Sequence, residues 1–581
     1  MYPIYEFEDE ILSVLREFGI EEVKLLKPPV GKGDAALPCF GSAKKMNRNP
    51  FELAEELESK VNLKDLKLIK NCKAENGYLN FFVDENLLAE KTIYMIEDKG
   101  EKYGRGEKKK EKILLEHTSA NPTGPLHIGR ARNPIIGDTL ARILRFYGYD
   151  VKTEYYIDDV GTQVAILAWG VKNLKNLRSE DQPDERRDHV LVKCYQEADK
   201  LRESDENVDK EIRELLKKYE QGDEQTVKFF EGVYAETLGG ILESLKVINI
   251  EMDNFVKESA FIRDGSVERV LKKLEKYCNE KDGALNIDLR DYGIDDNLFL
   301  TRKDGTSLYV TRDIAYHLNK FERCGISINI LGEDHKLEVD MLKIALKLLG
   351  IEKKQEVIFY SFISLPEGKM STRKQRVVYL DDLVDEAIER AREEVKKRRA
   401  ELSEEKIEKI ARAVGTGAIR YNIIKVQPSK PIKFRWEEAL NFEGNSAPFI
   451  QYAHARACSI LRKAGFQTKS KTKTENQTKT ENQTKSKKGK IELTAKEEAD
   501  LIKIMAEFPG VVEEMALQRA PHLITEYLMS LSSLFNLFYM NCPVIHAEKE
   551  DREKRLRIVK SAAQIIENGC NLLGIEPLEE M

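Results

Sequence analysis

Two stretches of the chain carry residue types suited to chemistry on a phosphate. The first is Pro125-Leu-His127-Ile-Gly129, in turn-rich sequence between a short apolar run and a long amphipathic one. A glycine lets the backbone pass close to a nucleotide base. The start of the following helix offers unpaired N–H groups to phosphate. His127 can donate a hydrogen bond to a phosphate whose charge grows in a transition state. Taken alone, the same histidine also fits an ordinary turn before a helix. The second stretch is Lys369-Met-Ser-Thr-Arg373, after a strand-like segment (Val357 to Leu365) and a Pro366-Glu-Gly368 turn. A loop with two cations is what a leaving pyrophosphate needs, with Lys369 foremost and Arg373 and Lys374 as helpers. Basic surface loops are also common, so this stretch has a plain reading too.

The elements around the first stretch follow a recognisable order. Ile113-Leu-Leu115 reads as a short buried strand, and Thr118 to Gly129 as turns. A helix follows, with Ile135, Ile136, Leu140, Ile143, Leu144 and Phe146 on its apolar side. Gly148 ends it, and Val151 to Ile157 is a second strand. Strand, glycine turn, helix, strand opens a doubly wound nucleotide-binding fold. Charge is dense from about 170 to 290, where a helical insertion between the two halves of that fold is expected. Ser307 to Thr311 and Ile326 to Leu331 read as strands of the second half. Beyond about 400 nearly everything reads as helix.

The first hundred or so residues form a separate small α/β module. Phe7 to Phe18 has helical spacing through Ile11, Leu12 and Leu15. Asn49 can cap a second helix that Pro50 opens. Gly77 to Val83 reads as a strand. A charged linker, Asp98 to Lys112, leads into the next unit. The expected fold is multidomain α/β: an N-terminal module over 1–105, a Rossmann-like domain over 106–400 and an all-α domain over 401–581.

Composition narrows the class. The chain has 581 residues, 41% of them apolar and 34% charged, with net charge −6. Any nucleic-acid surface is therefore a local patch, because counterion release depends on local contacts. The eight cysteines are scattered, with no zinc-type pairing and no disulfide framework, which fits a reducing cytoplasm. The N-terminal residues, Met1 to Glu10, do not read as a signal peptide, and no run reaches the apolar length of a membrane helix. Thr472–Gln477 and Thr478–Gln483 repeat one hexapeptide inside a polar, basic stretch, so 468–490 is expected to be a solvated flexible loop. An RNA tether is the sharper alternative for it.

Together, the two phosphate-type stretches resemble the His-Ile-Gly-His and Lys-Met-Ser-Lys-Ser signatures of class I aminoacyl-tRNA synthetases. The flanks narrow the resemblance to the arginyl-tRNA synthetase family. They are His117-Thr-Ser-Ala-Asn-Pro-Thr-Gly-Pro-Leu-His-Ile-Gly-Arg-Ala-Arg-Asn133, Tyr156-Ile-Asp-Asp-Val-Gly-Thr-Gln163, Tyr309-Val-Thr-Arg-Asp-Ile-Ala315, Gly332-Glu-Asp-His335, and the block from Trp436 to Arg456. The first hundred residues are similar to the family's N-terminal domain, associated with the tRNA elbow. Two departures stand out: Arg130 replaces the last histidine of the first signature, and Thr372-Arg373 replaces the end of the second. Arg130 keeps a donor and a fixed charge but is not a substitute for imidazole.

The resemblance implies ligation of arginine to tRNA(Arg) through an arginyl-adenylate. ATP would meet Pro125, His127, Gly129, Lys369, Met370 and Ser371, with His127, Gly129, Arg130, Lys369 and Arg373 serving catalysis. Mg²⁺ would arrive with ATP and keep mostly phosphate and water ligands, without a dedicated protein site. Arginine would meet Glu116, Asn121, Tyr309, Asp313 and His335. A guanidinium asks for carboxylates and a ring face, so Asp313 suits a fork and Tyr309 a wall. Asp158 and Asp159 read as structural or substrate-positioning, not a metal pair. Tyr452, His454, Arg456 and Arg462, with Tyr527 or Tyr539 further on, are candidates for tRNA contact, and interdomain packing is the favoured reading for Tyr452 and His454. Tyr527, Phe535, Phe538 and Tyr539 are spaced like a helix core. The family also implies a monomer. Alternatives left open are a class I enzyme for another amino acid, a tRNA-binding paralogue with weak catalysis, and a nucleotidyltransferase.

Overall fold

The computed structural model describes residues 1–21, 23–29, 31–178, 186–364, 378–466 and 491–581. Its centre is a parallel five-stranded sheet in the order Lys354–Tyr360, Ile326–Gly332, Lys112–Glu116, Asp150–Ile157, Asn254–Lys257. Helices cover the sheet, so the apolar run Ile113-Leu-Leu115 and the side chains of Ile328 and Ile330 are buried. Chain direction across the sheet reverses between Lys112–Glu116 and Ile326–Gly332. That is the topological switch point, and ligands bind outside the carboxyl ends of the strands there. Asn329 lies opposite Glu116 in the register of this pair.

The helix Arg132–Phe146 buries Ile135, Ile136, Leu140, Ile143 and Leu144, as its spacing predicts. Two expectations need correction. The segment Ser307 to Thr311 is not a strand. Only a single bridge, Thr301 to Ser307, is extended, and a helix runs over Tyr309–Arg323. Its β-branched start looks like strand sequence, but Ile314, Ala315 and Phe321 bury at helical spacing, and the Thr311 hydroxyl donates to the Leu300 carbonyl at 2.6 Å. The expected insertion is also not purely helical. Three helices, Arg187–Ser204, Glu206–Glu220 and Glu224–Val247, are followed by the core edge strand Asn254–Lys257. A small antiparallel sheet then spans Asn279–Lys281, Ala284–Asp288 and Asn297–Phe299. Strands of three to five residues are too short to show a period.

The N-terminal module has an antiparallel sheet with Tyr78–Val83 between Ala35–Pro38 and Ile69–Glu75. The helix Pro50–Lys60, third in the module after Pro3–Glu17 and Cys39–Lys45, starts as expected, with the Asn49 side chain accepting from the Phe51 N–H at 2.9 Å. The charged linker is not loose. Tyr103 is buried, stacks on Phe508 at 6.3 Å and donates to the Met505 carbonyl, which seats the module on the C-terminal helices. Those are Glu404–Ile424, Ala447–Lys463, Lys496–Gln518, Leu523–Asn541 and Lys549–Leu573. Among the described residues no helix is long and apolar enough to cross a membrane. The hexapeptide repeat and the 468–490 loop lie outside the described residues.

Candidate active site

The turn from Thr118 to Arg130 leaves the first core strand at the switch point and ends at the helix Arg132–Phe146. His127 is exposed, and its Nδ1 accepts from the Gly129 N–H at 2.9 Å. The ring proton of neutral His127 therefore sits on Nε2, which leaves a donor facing outward. Burial first, and the Arg130 charge second, hold the imidazole below its ordinary value, so the neutral form persists. Gly129 packs tightly on the ring: a Cβ there would stand 3.0 Å from His127 Nδ1, and the ring would have to shift. Pro125 is buried and Arg130 exposed.

The residues just after the second signature are fastened to this turn. The Ile128 N–H donates to the Val378 carbonyl at 3.1 Å, and the Leu380 N–H to the Leu126 carbonyl at 2.8 Å. On the upstream side, Ile363–Ser364 pairs with Ile432–Lys433. Lys369, Met370, Ser371 and Arg373 themselves lie outside the described residues.

The five residues that the resemblance assigns to arginine come from four pieces of chain around the switch point. Glu116 ends the first core strand and is buried. Its carboxylate takes Nζ of buried Lys320, Asn329 Nδ2 at 2.7 Å and Ser119 Oγ at 3.2 Å. The Asn121 amide donates to Gln163 Oε1 at 2.7 Å. Tyr309 and Asp313 are one turn apart on one face of the helix Tyr309–Arg323, not at a strand end. Tyr309 is 51% exposed, and the Arg312 guanidinium sits 5.2 Å from its ring centroid. The ring's hydroxyl comes within 3.1 Å of where a Cβ on Gly161 would be. Burial first, then the Asp158 and Glu258 carboxyls, raise the Tyr309 phenol, so it stays a donor. The Asp313 side chain is 42% exposed, with Oδ1 3.0 Å from His317 Nδ1. Burial raises this carboxyl, but His317, Lys320 and His335 outweigh it and hold Asp313 below the usual range. His335 follows the strand Ile326–Gly332 and pairs with Glu338 at 2.5 Å.

Other residues that build the site carry little sequence signal. Thr118 and Ser119 hold left-handed backbone, φ +71° and +37°, which strains a β-branched residue. Asn133 holds that turn: its Oδ1 accepts from the Thr118 N–H at 2.6 Å, and its Nδ2 donates to the Ile330 carbonyl at 2.7 Å. Arg132 is fully buried and donates to the carbonyls of Ser361, Lys430, Val426 and Gln427 at 2.7–3.2 Å. It joins the first signature's helix to the chain before the second signature and to the start of the C-terminal part. A polar residue on an apolar helix face was the one available cue for both. Asp159 is buried and accepts from Tyr219 Oη at 2.9 Å and Ser259 Oγ at 2.7 Å. The strand stops at Ile157, so both aspartates stand beyond it.

In the C-terminal part, the Arg456 guanidinium lies between two rings, 4.7 Å from Tyr452 and 4.6 Å from Tyr539. Both rings are about two-fifths exposed. The two rings, Arg462 and Arg399 line a cleft of about 610 Å³. Arg462 also donates to the Glu579 carbonyl at 2.9 Å. His454 is buried against the Leu578 carbonyl within this same part of the molecule, not between domains. Tyr527, Phe535 and Phe538 are core, whereas Tyr539 faces out.

A doubly wound sheet with a His-x-Gly turn at its switch point, followed by a helical C-terminal part, defines a class I aminoacyl-tRNA synthetase. The model for the class I (R) tRNA synthetase catalytic domain matches residues 92–436. The chain belongs to the arginyl-tRNA synthetase family. The arginyl tRNA synthetase N-terminal domain model matches residues 6–83 and the DALR anticodon binding domain model residues 450–581. The arginine–tRNA ligase of Methanocaldococcus jannaschii is 44% identical, covering 98% of this chain and 99% of its own. That of Methanocella arvoryzae is also 44% identical, over 97% and 96%. The solved arginyl-tRNA synthetase of Thermus thermophilus has 28% identity and a TM-score of 0.82, with 99% of each chain covered.

Proposed function

We propose that the switch-point cleft binds arginine and ATP and forms arginyl-adenylate there. The chain is an arginine–tRNA ligase: it consumes ATP, activates arginine and charges tRNA. The observation that carries the site reading is the convergence of Asp313, Tyr309, Asn121 and Glu116 beside the His127 turn. Asp313 takes the guanidinium in a charge-assisted fork, and Tyr309 walls it. Asn121 and Glu116 serve the α-amino and carboxylate end, with Glu116 acting partly through Lys320. His335 flanks this cleft.

The arginine carboxylate attacks the α-phosphorus of ATP, the bond to the β-phosphate oxygen breaks, and pyrophosphate leaves. His127 donates through Nε2–H to the phosphate as charge builds. Arg130 supplies a fixed positive charge beside it, and Pro125 and Gly129 shape the bed for the base. Lys369 and Arg373 meet the leaving pyrophosphate, with Met370 and Ser371 against the nucleotide. Mg²⁺ would accompany ATP and supply charge neutralisation to its phosphates, with no protein ligand assigned to it. The terminal ribose hydroxyl of tRNA then attacks the adenylate carbonyl and AMP leaves. Tyr452, Arg456 and Arg462 offer stacking faces and positive charge to unpaired bases of tRNA(Arg). The units 1–105, 106–400 and 401–581 divide these tasks in a monomer working in the cytoplasm.

The test is ATP–pyrophosphate exchange with each amino acid in turn, with and without tRNA. Exchange with arginine alone supports the pocket. Exchange with another amino acid removes Asp313 as the guanidinium partner.

A further inference from the structure

The helix Tyr309–Arg323 carries a buried histidine that none of the proposed steps uses. His317 is 1% exposed and lies one turn beyond Asp313. Its Nδ1 faces only acceptors, the Asp313 Oδ1 at 3.0 Å and the Asp313 carbonyl at 2.9 Å. Its Nε2 faces only donors, the Gln355 Nε2 at 3.2 Å and the Lys320 Nζ at 3.4 Å. One tautomer is compatible with all four contacts: a single Nδ1–H shared between the two Asp313 oxygens, and one Nε2 lone pair facing the two nitrogens. Lys320 in turn pairs with Glu116. A buried chain thus runs from Glu116 through Lys320 and His317 to Asp313, linking the two ends of the proposed arginine cleft.

We infer that His317 is a positioning residue that fixes the Asp313 carboxylate in the rotamer needed to receive the substrate's guanidinium. The inference rests on the reading that Asp313 is the guanidinium partner. An aspartate 42% exposed on a helix has several rotamers open to it. A bidentate fork needs one of them held before arginine arrives. The Nδ1–H, shared between the Asp313 carbonyl and Oδ1, holds Oδ1 on this side, while Gln355 and Lys320 keep the ring from turning. Oδ2 and the free lone pair of Oδ1 are left for the ligand. Because the effect is on binding geometry, it should appear in the KM for arginine and leave the chemical step alone.

A matched pair of variants tests this. In His317→Asn the amide nitrogen overlays Nδ1 and keeps the donor toward Asp313. In His317→Gln it overlays Nε2 and loses that donor, while a polar group of similar size remains. Both are assayed by arginine-dependent ATP–pyrophosphate exchange with thermal midpoints recorded, beside Asp313→Asn. The expected result is a KM for arginine raised roughly ten- to a hundredfold in H317Q, with kcat and the KM for ATP near wild type. H317N should recover most of the loss. Equal KM values in the two variants, or a loss confined to kcat, would overturn the positioning role. An unchanged arginine KM in D313N would instead overturn the underlying reading of Asp313.

Discussion

His127 and its neighbour His117 illustrate two ways a fold uses an imidazole. His127 is held neutral with Nε2–H outward, which suits donation to a phosphate. His127→Ala should lower kcat of arginine-dependent exchange by about 10²–10³-fold, the scale for losing one transition-state donor, with the arginine KM nearly unchanged. A KM effect of the same size would make His127 a ground-state ligand instead. His117 is buried against Gly137, and burial drives its pKa down to about 4. The folded value lies below the roughly 6.5 of a free histidine, so the unfolded chain takes up the proton first. The stabilisation is complete above about pH 6.5 and is lost as pH falls toward 4, by about 3 kcal/mol in all. Thermal midpoints at pH 7.5 and pH 5 should therefore differ less in His117→Asn than in the wild type. Equal differences would mean that His117 titrates freely in the folded chain.

The signature helix Arg132–Phe146 carries its own test of close packing. Gly137 lies in its middle, where alanine would ordinarily gain about 1 kcal/mol of helix propensity. A Cβ there would stand 2.4 Å from His117 Cγ, and overpacking of that kind costs roughly 1–3 kcal/mol. Repulsion wins, so Gly137→Ala should lower the thermal midpoint, and kcat for exchange should fall as the strained Thr118–Ser119 turn is pushed. A raised midpoint would mean that His117 yields freely. This element also marks where sequence reading succeeds and stops. Its apolar stripe, the strands beside it and the His127 turn are local patterns, so spacing alone exposes them. The network behind the cleft is different. Asn133, Lys320 and His317 matter through partners 15 to 204 residues away, or through a helix whose start resembles strand sequence. The edge strand Asn254–Lys257 has four residues and no period to find.

At the scale of the molecule, one buried arginine joins three distant parts. Arg420, on the helix Glu404–Ile424, donates to Asp138 Oδ2 on the signature helix at 2.5 Å. It also donates to the Ile248 carbonyl at 2.8 Å and the Leu573 carbonyl at 2.6 Å, at the ends of the helix Glu224–Val247 and of the last helix. Gly574 permits this approach, since a Cβ there would meet the guanidinium at 2.4 Å. Burial raises the Asp138 carboxyl, but Arg420 and Arg142 outweigh it and hold the group below its ordinary value. A depressed folded value means that its stabilisation is present above the unfolded carboxylate range and lost as pH falls through the folded value. Removing one partner strands a charge in the interior, so Asp138→Asn should destabilise by about 3–5 kcal/mol near neutral pH. Arg420→Met leaves two carbonyls unpaired, and the double variant should show coupling above about 1 kcal/mol in a double-mutant cycle. Calorimetry reads a further consequence. With the tie intact, the sheet domain and the C-terminal helices should unfold together. In R420M the transition should split in two if this tie, and not the apolar core the two parts share, couples them. A single transition in R420M, merely shifted down, would place the coupling in the apolar interface instead of in this arginine.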